Sequence, residues 1–308
     1  MKPIVKLDNT GLLSLLVNSG NRGFQHQGIT VAGPMDEQAF SCANLLLGNE
    51  LCAQSFTLEG IGEITLTALQ DTYIAVTGPN VSVYVNGNEV LAWASLFVAK
   101  NSEITIKPNK NGQLGQRYYF AIEGGFGVTD NTLMGIKPLQ KGQSLLSTNT
   151  SKNTSKQDVE EVSLPSPDYS LNKPLRVIVG YQGNSMSGAV LAQFFNQTYQ
   201  VSPNSNRMGY RLEGKPLSLP STSLYSEGLD KGAIQIPPNG QPIVMLADRQ
   251  TLGGYPKIGA VAAVDIPRLV QALPGEKLHF SPIDVYQARN LMRLQKQKMN
   301  RLITESQV

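Results

Sequence analysis

The sequence is poor in the side chains from which metal and nucleophilic sites are most often built. Its 308 residues include two cysteines and two histidines. Cys42 and Cys52 form no CxxC pair, so neither a disulfide framework nor a zinc site can be built from them alone. No GxSxG, HExxH, GxxxxGK[ST] or GxGxxG motif is present. These absences argue against a self-contained hydrolase or nucleotide-binding protein, and they predict a chain that binds no metal and no cofactor by itself.

Charged residues and long apolar runs are also scarce. The charged fraction is 16%, the net charge is +3, and no dense Lys/Arg stripe occurs before the C-terminal stretch, so nucleic acid is not an expected partner. No run approaches the roughly 18 to 20 apolar residues that span a bilayer. Asp8 interrupts an N-terminal apolar run that is too short for a secretory signal. We therefore expect a cytoplasmic protein without a membrane partner.

Glycine and proline are abundant, and they predict a chain of many short strands. The sequence contains 29 Gly and 18 Pro, a combination with low charge that is typical of β-rich folds. Alternating valines at 81–85 followed by Asn86-Gly87 predict a hairpin with a type I′ turn. Further strands are predicted at 63–67, 72–77, 103–106, 117–122, 175–181, 242–247, 260–264 and 277–280. The predicted class is mainly β, built as a barrel or a sandwich.

A few helices interrupt the predicted strands. Asp36 can cap a helix that precedes Gly48, and residues 189–195 look helical. Asp265 is predicted to cap a second short helix over 267–273. The tail from residue 284 has apolar positions at heptad-like spacing with Lys and Arg elsewhere on the cylinder. Two interpretations stay open for this tail: a terminal helix docked on its own domain, or a helix that binds a partner.

The length and one polar stretch predict two domains. A chain of 308 residues exceeds what a single hydrophobic core usually supports. Residues 147–167 are rich in Ser, Thr, Asn and Lys and have few large apolar side chains, so they predict an exposed segment. The predicted division is an N-terminal β domain at 1–146, a linker or exposed loop at 147–172, and a C-terminal β domain with a terminal helix at 173–308.

The strongest local indication of a site is the polar, glycine-containing segment 248–257, which follows an apolar run at 243–247. Loops at strand ends commonly carry functional groups. Arg249 can clamp a carboxylate, Gln250 can hydrogen-bond an amide, and Lys257 can stabilise developing negative charge. The alternative is a tight turn in which the two glycines supply positive φ and Arg249 pairs with the aspartate before it.

A second polar cluster lies at 202–214. Asn206 and Arg207 have the donors to hold an anionic or amide ligand. Arg211 and Glu213 form a surface ion pair in the alternative interpretation. The sequence does not decide between a binding site and ordinary structure here.

The surroundings of the two histidines differ in what they predict. His279 alternates with apolar neighbours in a predicted strand, which favours a hydrogen-bonded or solvent-facing side chain over a catalytic base. His26 lies in the glycine-rich segment 21–28, where a loop can present polar side chains. For His26 both interpretations stay open.

Six segments together carry a family resemblance: GITVAGPMD (28–36), NLLLGN (44–49), SPNSNRMGYRLEG (202–214), SEG (226–228), GAIQIPPNGQPIVMLADRQTLGGYPKIGAV (232–261) and DIPRL (265–269). In order and over nearly the whole chain, they resemble the biotin-dependent carboxyltransferase family, also called allophanate hydrolase subunit 2. Within it the chain looks most like the C subunits of 5-oxoprolinases. The stretch GYQGNSMSG (180–188) departs from the family pattern because it lacks the aromatic residues expected there.

The resemblance implies a fold, an activity and partners. The fold is expected to be two cyclophilin-like β-barrel domains with a few short helices and a C-terminal helix. The activity is expected to be that of the C subunit in an ATP-dependent 5-oxoprolinase, which opens 5-oxoproline to glutamate. The expected partners are the A subunit, where ATP is used, and the inhibitor-like B subunit, which is the direct partner. By this interpretation the chain is inactive alone.

Two alternatives stay open within the same resemblance. One is a carboxyltransferase that acts on urea or a related amide and receives carboxybiotin in trans. The other is a regulatory partner of a histidine-kinase inhibitor.

The resemblance also implies site residues by position. We expect Arg207 and Arg249 to line one cleft, and Arg249→Ala to abolish activity while the melting temperature stays nearly unchanged. The expected catalytic residues are Arg249, Lys257 and Gln250, and the expected substrate-binding residues are Asn206, Arg207, Tyr255, Met35 and Asp36.

Overall fold

A computed structural model describes residues 1–52, 55–108, 117–128, 137–148, 162–219 and 224–305, with residues 302–305 as backbone only. The chain divides into two compact units. The first comprises Met1–Gly20, Asp36–Asp168 and Met299–Val308, and the second comprises Asn21–Met35 and Tyr169–Lys298. Among the described helices, none combines the length and the apolar character needed to cross a membrane.

The described part of the first unit consists of two antiparallel sheets, one short helix and the last residues of the C-terminal helix. The elements are β1 Lys2–Asn9, β2 Leu13–Val17, α1 Glu37–Leu45, β3 Thr57–Ile61, β4 Ile64–Ala68, β5 Thr72–Thr77, β6 Val81–Val85, β7 Asn88–Val90, β8 Ser95–Val98, β9 Glu103–Pro108, β10 Arg117–Ile122, β11 Phe126–Gly127 and β12 Ser144–Ser147. One sheet has the order β11-β12-β1-β4-β9-β6-β7 and the other β2-β3-β10-β5-β8. Buried side chains from both sheets, among them Leu66 and Phe120, share one hydrophobic core.

Two local predictions in this unit are confirmed. Asn86 and Gly87 join β6 to β7 with φ values of 50° and 80°, the positive pair that a type I′ turn requires. Asp36 caps α1, because its carboxylate accepts hydrogen bonds from the backbone N–H groups of Gln38 and Ala39 at 3.1 and 3.0 Å.

The second unit is built on one eight-stranded sheet, to which a separate two-stranded sheet is added. The elements are β13 Leu175–Val179, α2 Tyr181–Asn184, α3 Gly188–Asn196, β14 Tyr199–Val201, β15 Gly209–Glu213, β16 Glu227–Gly228, β17 Ala233–Gln235, β18 Ile243–Met245, β19 Leu252–Gly253, β20 Lys257–Val261, α4 Ile266–Val270, β21 Lys277–Leu278, β22 Phe280–Ile283 and α5 Val285–Glu305, with 3₁₀ turns at Gln25–Gln27 and Ala263–Asp265. The large sheet has the order β21-β14-β15-β18-β17-β20-β13-β22.

The large sheet curls into a nearly closed barrel. Its two edge strands, β21 and β22, are separated in the chain by His279 alone, so the two edges of the sheet must lie side by side. Alternate side chains point inward and form the core of the unit, where Val244, Ile258 and Phe280 are buried. The predicted mainly β class, with barrel architecture, short helices and a C-terminal helix, is confirmed.

The packing of β20 against β13 depends on the absence of a side chain at Gly259. A Cβ atom there would lie 2.1 Å from the Ile178 carbonyl oxygen and 2.9 Å from the Val179 Cα atom, and backbone cannot yield as a flexible side chain does. We expect Gly259→Ala to lower the free energy of unfolding by about 2 kcal/mol or more in urea titrations. Gly188→Ala is the matched control. Its Cβ meets nothing within 4 Å at the start of α3, so a comparable loss there would contradict the steric explanation.

The division of the chain differs from the predicted one. Residues 21–35 belong to the second unit although they precede most of the first. Part of the predicted linker is ordinary structure of the first unit: Ser147 ends β12, and Ser163 forms a β-bridge with Ala94. The rest of that predicted linker at 149–161 lies outside the described residues.

Asp265 occupies the N-cap position of α4, with Pro267 in the first turn as predicted, but its side chain makes no capping hydrogen bond. Its buried carboxylate instead accepts two bonds of 2.7 Å from the Arg176 guanidinium and one of 2.8 Å from the Arg176 backbone N–H. A bidentate arginine is a stronger partner for a carboxylate than a helix N–H group.

Candidate functional site

The segment 248–257 does leave a buried strand, as the sequence predicts, and it then turns back over the barrel of the second unit. Leu252 and Gly253 form β19, which pairs with Glu227 and Gly228 of β16. Lys257 then begins β20. The side chain of Lys257 meets that of Glu227 on the neighbouring small sheet.

Glu227 and Lys257 form an accessible ion pair. The Lys257 Nζ atom lies 2.7 Å from Glu227 Oε1 and donates a second bond of 3.2 Å to the Gly228 carbonyl oxygen. The Lys257 side chain is 18% exposed and the Glu227 side chain 30%. We call this arrangement the Glu227–Lys257 pair. Because both charged ends are partly open to solvent, a small molecule can reach them.

Two polar side chains from α2 fix the Glu227 carboxylate. The Tyr181 hydroxyl donates to Oε2 and the Gln182 amide donates to Oε1. The carbonyl oxygen of the same Gln182 amide accepts from the Lys257 backbone N–H at 2.8 Å, so this residue holds both members of the pair. The Lys257 ammonium and then the Tyr181 hydroxyl lower the pKa of Glu227 below its ordinary value. The Glu227 carboxylate is therefore ionised at neutral pH, and it becomes protonated as the pH falls through that lowered pKa.

A buried amide lies beside the pair. Gln235 is next to Lys257 in the β17–β20 register and is 1% exposed. Among the described residues its Nε2 atom has no hydrogen-bond partner. A Cβ atom on Gly253 would lie 2.6 Å from that nitrogen, which shows that β19 covers it closely. An unpaired buried donor costs about 1–3 kcal/mol, so this amide is a polar group that the described protein does not itself satisfy.

Arg249 lies under the same segment, but its guanidinium faces the protein. It is 5% exposed, and it donates from Nε to the Leu229 carbonyl oxygen at 2.9 Å and from Nη1 to the Leu246 carbonyl oxygen at 3.1 Å. It thereby ties the strand end at Leu246 to the backbone just beyond Glu227. The expectation that Arg249→Ala spares stability does not fit these contacts.

Arg207 has a similar structural attachment. Its guanidinium binds the Asp248 carboxylate bidentately at 2.8 and 2.9 Å and donates a 2.6 Å bond to the Gly33 carbonyl oxygen. Asp248 therefore pairs with Arg207, and the alternative pairing with Arg249 is wrong. Arg207 and Arg249 are 9% and 5% exposed and both guanidinium groups bind protein partners, so that the two line one cleft stays a prediction.

The other expected residues fall into two groups. Gln250 and Tyr255 are exposed on the segment that leads to Lys257, where a ligand can reach them. Asn206 lies on the turn before β15, where its Oδ1 atom accepts from the backbone N–H groups of Met208 and Gly209 at 2.9 and 3.4 Å, which is a turn-forming role.

Met35 and Asp36 belong to different units and are fully buried. Met35 is part of the hydrophobic core of the second unit. In the first unit Asp36 caps α1, and its backbone N–H donates a 2.8 Å hydrogen bond to the Tyr119 hydroxyl oxygen. Neither side chain joins the Glu227–Lys257 pair.

The two histidines are peripheral to the pair. His279 is exposed and lies 3.0 Å from the Thr198 hydroxyl, as predicted for a hydrogen-bonded side chain. His26 is exposed in a 3₁₀ turn beside Gln27. In the part of the chain that the structure describes, no group of three or more His, Cys, Asp or Glu side chains is placed to hold a metal ion.

Sequence reasoning missed Tyr181, Gln182 and Glu227. Glu227 lies in the SEG segment and Tyr181 in the stretch 180–188, but the sequence predicted no function for either residue. No local pattern connects them, because 45 residues separate Gln182 from Glu227. The pairing of β16 with β19 and the position of α2 after β13 bring them to Lys257.

Known proteins match the chain over most of its length. It is 30% identical over 284 residues to the 5-oxoprolinase C subunit of Escherichia coli, a match that covers 90% of both chains. It is 25% identical over 311 residues to the urea amidolyase of Saccharomyces cerevisiae, a match that covers 90% of this chain and 16% of the enzyme.

Solved structures agree on the fold. The crystal structure of TTHA0988 superposes with a TM-score of 0.79 at 27% identity, over 91% of this chain and 56% of that chain, so this chain spans about half its length. The K. lactis urea amidolyase superposes with a TM-score of 0.84 at 24% identity, over 98% of this chain and 20% of that chain.

Residues 27–282 match the carboxyltransferase domain family, subdomain A and B. With that match, and with 30% identity to the bacterial protein over 90% of both chains, the chain belongs to the carboxyltransferase domain family.

Proposed function

We propose that this chain is one subunit of an ATP-dependent 5-oxoprolinase, which opens 5-oxoproline to glutamate together with partner subunits. One observation carries the proposal: the match to the bacterial 5-oxoprolinase C subunit covers 90% of each chain. The urea amidolyase relative, in contrast, is matched over 16% of its length. The higher identity to the C subunit, 30% against 25%, also favours the 5-oxoprolinase role.

The hydrogen-bonding capacity of the Glu227–Lys257 pair supports a lactam as substrate. An ammonium has three donors, and Lys257 uses two of them, on Glu227 and on the Gly228 carbonyl oxygen. A carboxylate accepts about four bonds, and Glu227 receives three, from Lys257, Tyr181 and Gln182. As far as the described residues go, each charged group thus keeps one position for a ligand.

A lactam matches those two positions. Its ring holds the amide in the cis form, so the N–H and the C=O point to the same side. The carbonyl oxygen accepts from the Lys257 ammonium and the N–H donates to the Glu227 carboxylate. When water adds to the carbonyl carbon, negative charge develops on that oxygen, and the ammonium stabilises it. The adduct then re-forms the C=O bond and breaks the C–N bond, and the ring nitrogen takes up a proton from the water to become the amine of glutamate. Lys257 is therefore the catalytic residue in this proposal, and Glu227 orients the amide.

The roles of the other expected residues follow from where they lie. Gln250 and Tyr255, both exposed beside Lys257, are proposed to contact substrate. Arg249, Arg207 and Asn206 are proposed to position the 248–257 segment and its surroundings through their protein contacts. Met35 and Asp36, which are buried, support the fold rather than the substrate.

The partner subunits complete the proposed reaction. The sequence has neither a GxxxxGK[ST] loop nor a GxGxxG motif, so ATP is proposed to act on a larger A subunit. The inhibitor-like B subunit is the proposed direct partner. On this basis the isolated chain has no 5-oxoprolinase activity.

Carboxyl transfer to urea is the second candidate. The relation to urea amidolyase favours it, and urea offers the same N–H and C=O edge to the Glu227–Lys257 pair. In this case carboxybiotin on another protein supplies the carboxyl group.

The deciding experiment measures glutamate released from 5-oxoproline and ATP by the three subunits of the same genome, with and without this chain. We expect release only when all three are present. If omission of this chain changes nothing, the proposal fails. A parallel reaction with urea and a carboxylated biotin carrier, in which carboxyl transfer depends on this chain, would replace 5-oxoprolinase by the second candidate.

A further inference from the structure

The side chain of Gln235 leaves the outer surface of the barrel next to that of Lys257. The residues on either side of it in the chain, Ile234 and Ile236, belong to the core of the second unit. Because side chains alternate along a strand, Gln235 on β17 points away from that core. Lys257 is its partner on β20 in the antiparallel register, and the Lys257 side chain is 18% exposed. The two side chains therefore start from neighbouring positions on the same surface.

The amide of Gln235 and the ammonium of Lys257 also end beside the same small sheet, formed by β16 and β19. The Lys257 Nζ atom lies 3.2 Å from the Gly228 carbonyl oxygen. The Gln235 Nε2 atom lies 2.6 Å from the position that a Cβ atom on Gly253 would occupy. Gly228 and Gly253 belong to adjacent residue pairs of that sheet. The fold thus brings a neutral donor and a charged donor to one part of the site.

The Gln235 nitrogen is costly to the fold in its present position. The side chain is 1% exposed, and among the described residues Nε2 has no hydrogen-bond partner. The same Cβ position on Gly253 lies 2.7 Å from the Leu229 Cδ1 atom, so the nitrogen has an apolar neighbour. An apolar residue at position 235 would avoid the cost of an unpaired donor. Buried polar groups without partners are uncommon and are found at functional sites, where a ligand can supply the missing bond.

We propose that the Gln235 amide is the second donor to the carbonyl oxygen of the substrate, an inference that rests on the proposed function. A carbonyl oxygen has two lone pairs, so it can accept from Lys257 and from Gln235 together. To reach it, the Gln235 amide turns from Gly253 toward Lys257. A glutamine side chain has three rotatable bonds, and no hydrogen bond from Nε2 to a described residue holds it in place. The two donors then stabilise the negative charge that develops on this oxygen when water adds to the carbonyl carbon.

The first test is Gln235→Met in the assembled enzyme, which replaces the amide by an apolar side chain of similar length. We expect kcat for glutamate release to fall about 100-fold, the typical cost of removing one donor to a developing oxyanion, with a smaller change in KM. The melting temperature of the full chain should stay the same or rise, because the variant removes an unpaired buried donor. An unchanged kcat would overturn the proposal.

Gln241→Met is the matched control, because the amide of that glutamine has protein partners. Its Oε1 atom accepts from the Gly214 backbone N–H and its Nε2 atom donates to the Gly214 carbonyl oxygen, both at 3.0 Å. We expect this variant to lower the melting temperature and to keep the kcat of the wild type. If Gln235→Met gives the same combination, Gln235 serves only the fold and the proposal is wrong.

The second test observes the Gln235 amide directly, by NMR spectroscopy of the isotope-labelled full chain. Its side-chain NH₂ signal is identified as the one that disappears in Gln235→Met. Addition of 5-oxoproline should shift this signal downfield, as expected for a proton that gains a hydrogen bond. Urea, the substrate of the second candidate function, is added in a parallel titration.

The outcomes separate this proposal from the proposed function. If urea moves the signal and 5-oxoproline does not, the role of Gln235 stands and the 5-oxoprolinase proposal fails. If the assembled enzyme releases glutamate and Gln235→Met keeps the kcat of the wild type, the enzyme proposal stands and the role of Gln235 fails. If neither compound moves the signal, the role of Gln235 fails whatever the glutamate assay gives.

Discussion

Arg249→Ala lowers the free energy of unfolding by about 3 kcal/mol or more in urea titrations of the full chain. The substitution removes the donors that hold the carbonyl oxygens of Leu229 and Leu246 at 2.9 and 3.1 Å. Both residues are buried, so water does not easily replace the lost bonds. The segment after Glu227 then loses its attachment to the end of β18, and activity falls because the Glu227–Lys257 pair is no longer held in place.

Two control variants separate this explanation from direct substrate binding. Arg211→Ala, an exposed position on β15, should change stability by no more than about 0.5 kcal/mol. Arg249→Lys keeps the charge but loses the planar guanidinium with its several donors. Its free energy of unfolding should therefore lie between those of wild type and Arg249→Ala. A fully stable Arg249→Ala variant that has lost activity would instead show that Arg249 binds substrate, as expected from the family resemblance alone.

The fold was largely predictable because its determinants are local. The Asn86-Gly87 turn needs two residues that tolerate positive φ, and the Asp36 cap needs one short acidic side chain before a helix. Both requirements can be read from adjacent residues. The assignment of 21–35 to the second unit was not predictable in this way, because it depends on contacts such as that from Arg207 to Gly33, 174 residues away in the sequence.

The site was only partly predictable for the same reason. Segment 248–257 stands out because a polar, glycine-containing stretch follows an apolar strand. The role of each charged residue within it depends on its partner: Arg249 faces two carbonyl oxygens, whereas Lys257 meets a carboxylate at the surface. Donor chemistry alone ranked Arg249 with Lys257. Burial separates them, and burial is set by strand pairing that the local sequence does not show.

Lys257→Met should lower kcat of the assembled enzyme about 100-fold or more, the typical cost of removing one donor to a developing oxyanion. The methionine keeps most of the apolar length of the side chain and removes the charge. Because the Lys257 and Glu227 side chains are 18% and 30% exposed, water screens their attraction, and the variant should lose no more than about 1 kcal/mol of stability. Glutamate release and urea titration measure the two effects separately.

The effect of Lys257→Met should also depend on Glu227. If both side chains hydrogen-bond the same amide, Glu227→Gln also lowers activity. The double variant should then be hardly less active than Lys257→Met, because residues that act as a unit give non-additive losses. Lys215→Met, another exposed lysine of the second unit, should keep full activity. Additive losses would mean that the two residues act at separate points. A fully active Lys257→Met variant would remove the Glu227–Lys257 pair from the chemistry, because no other position of this site combines an accessible cation with a fixed carboxylate among the described residues.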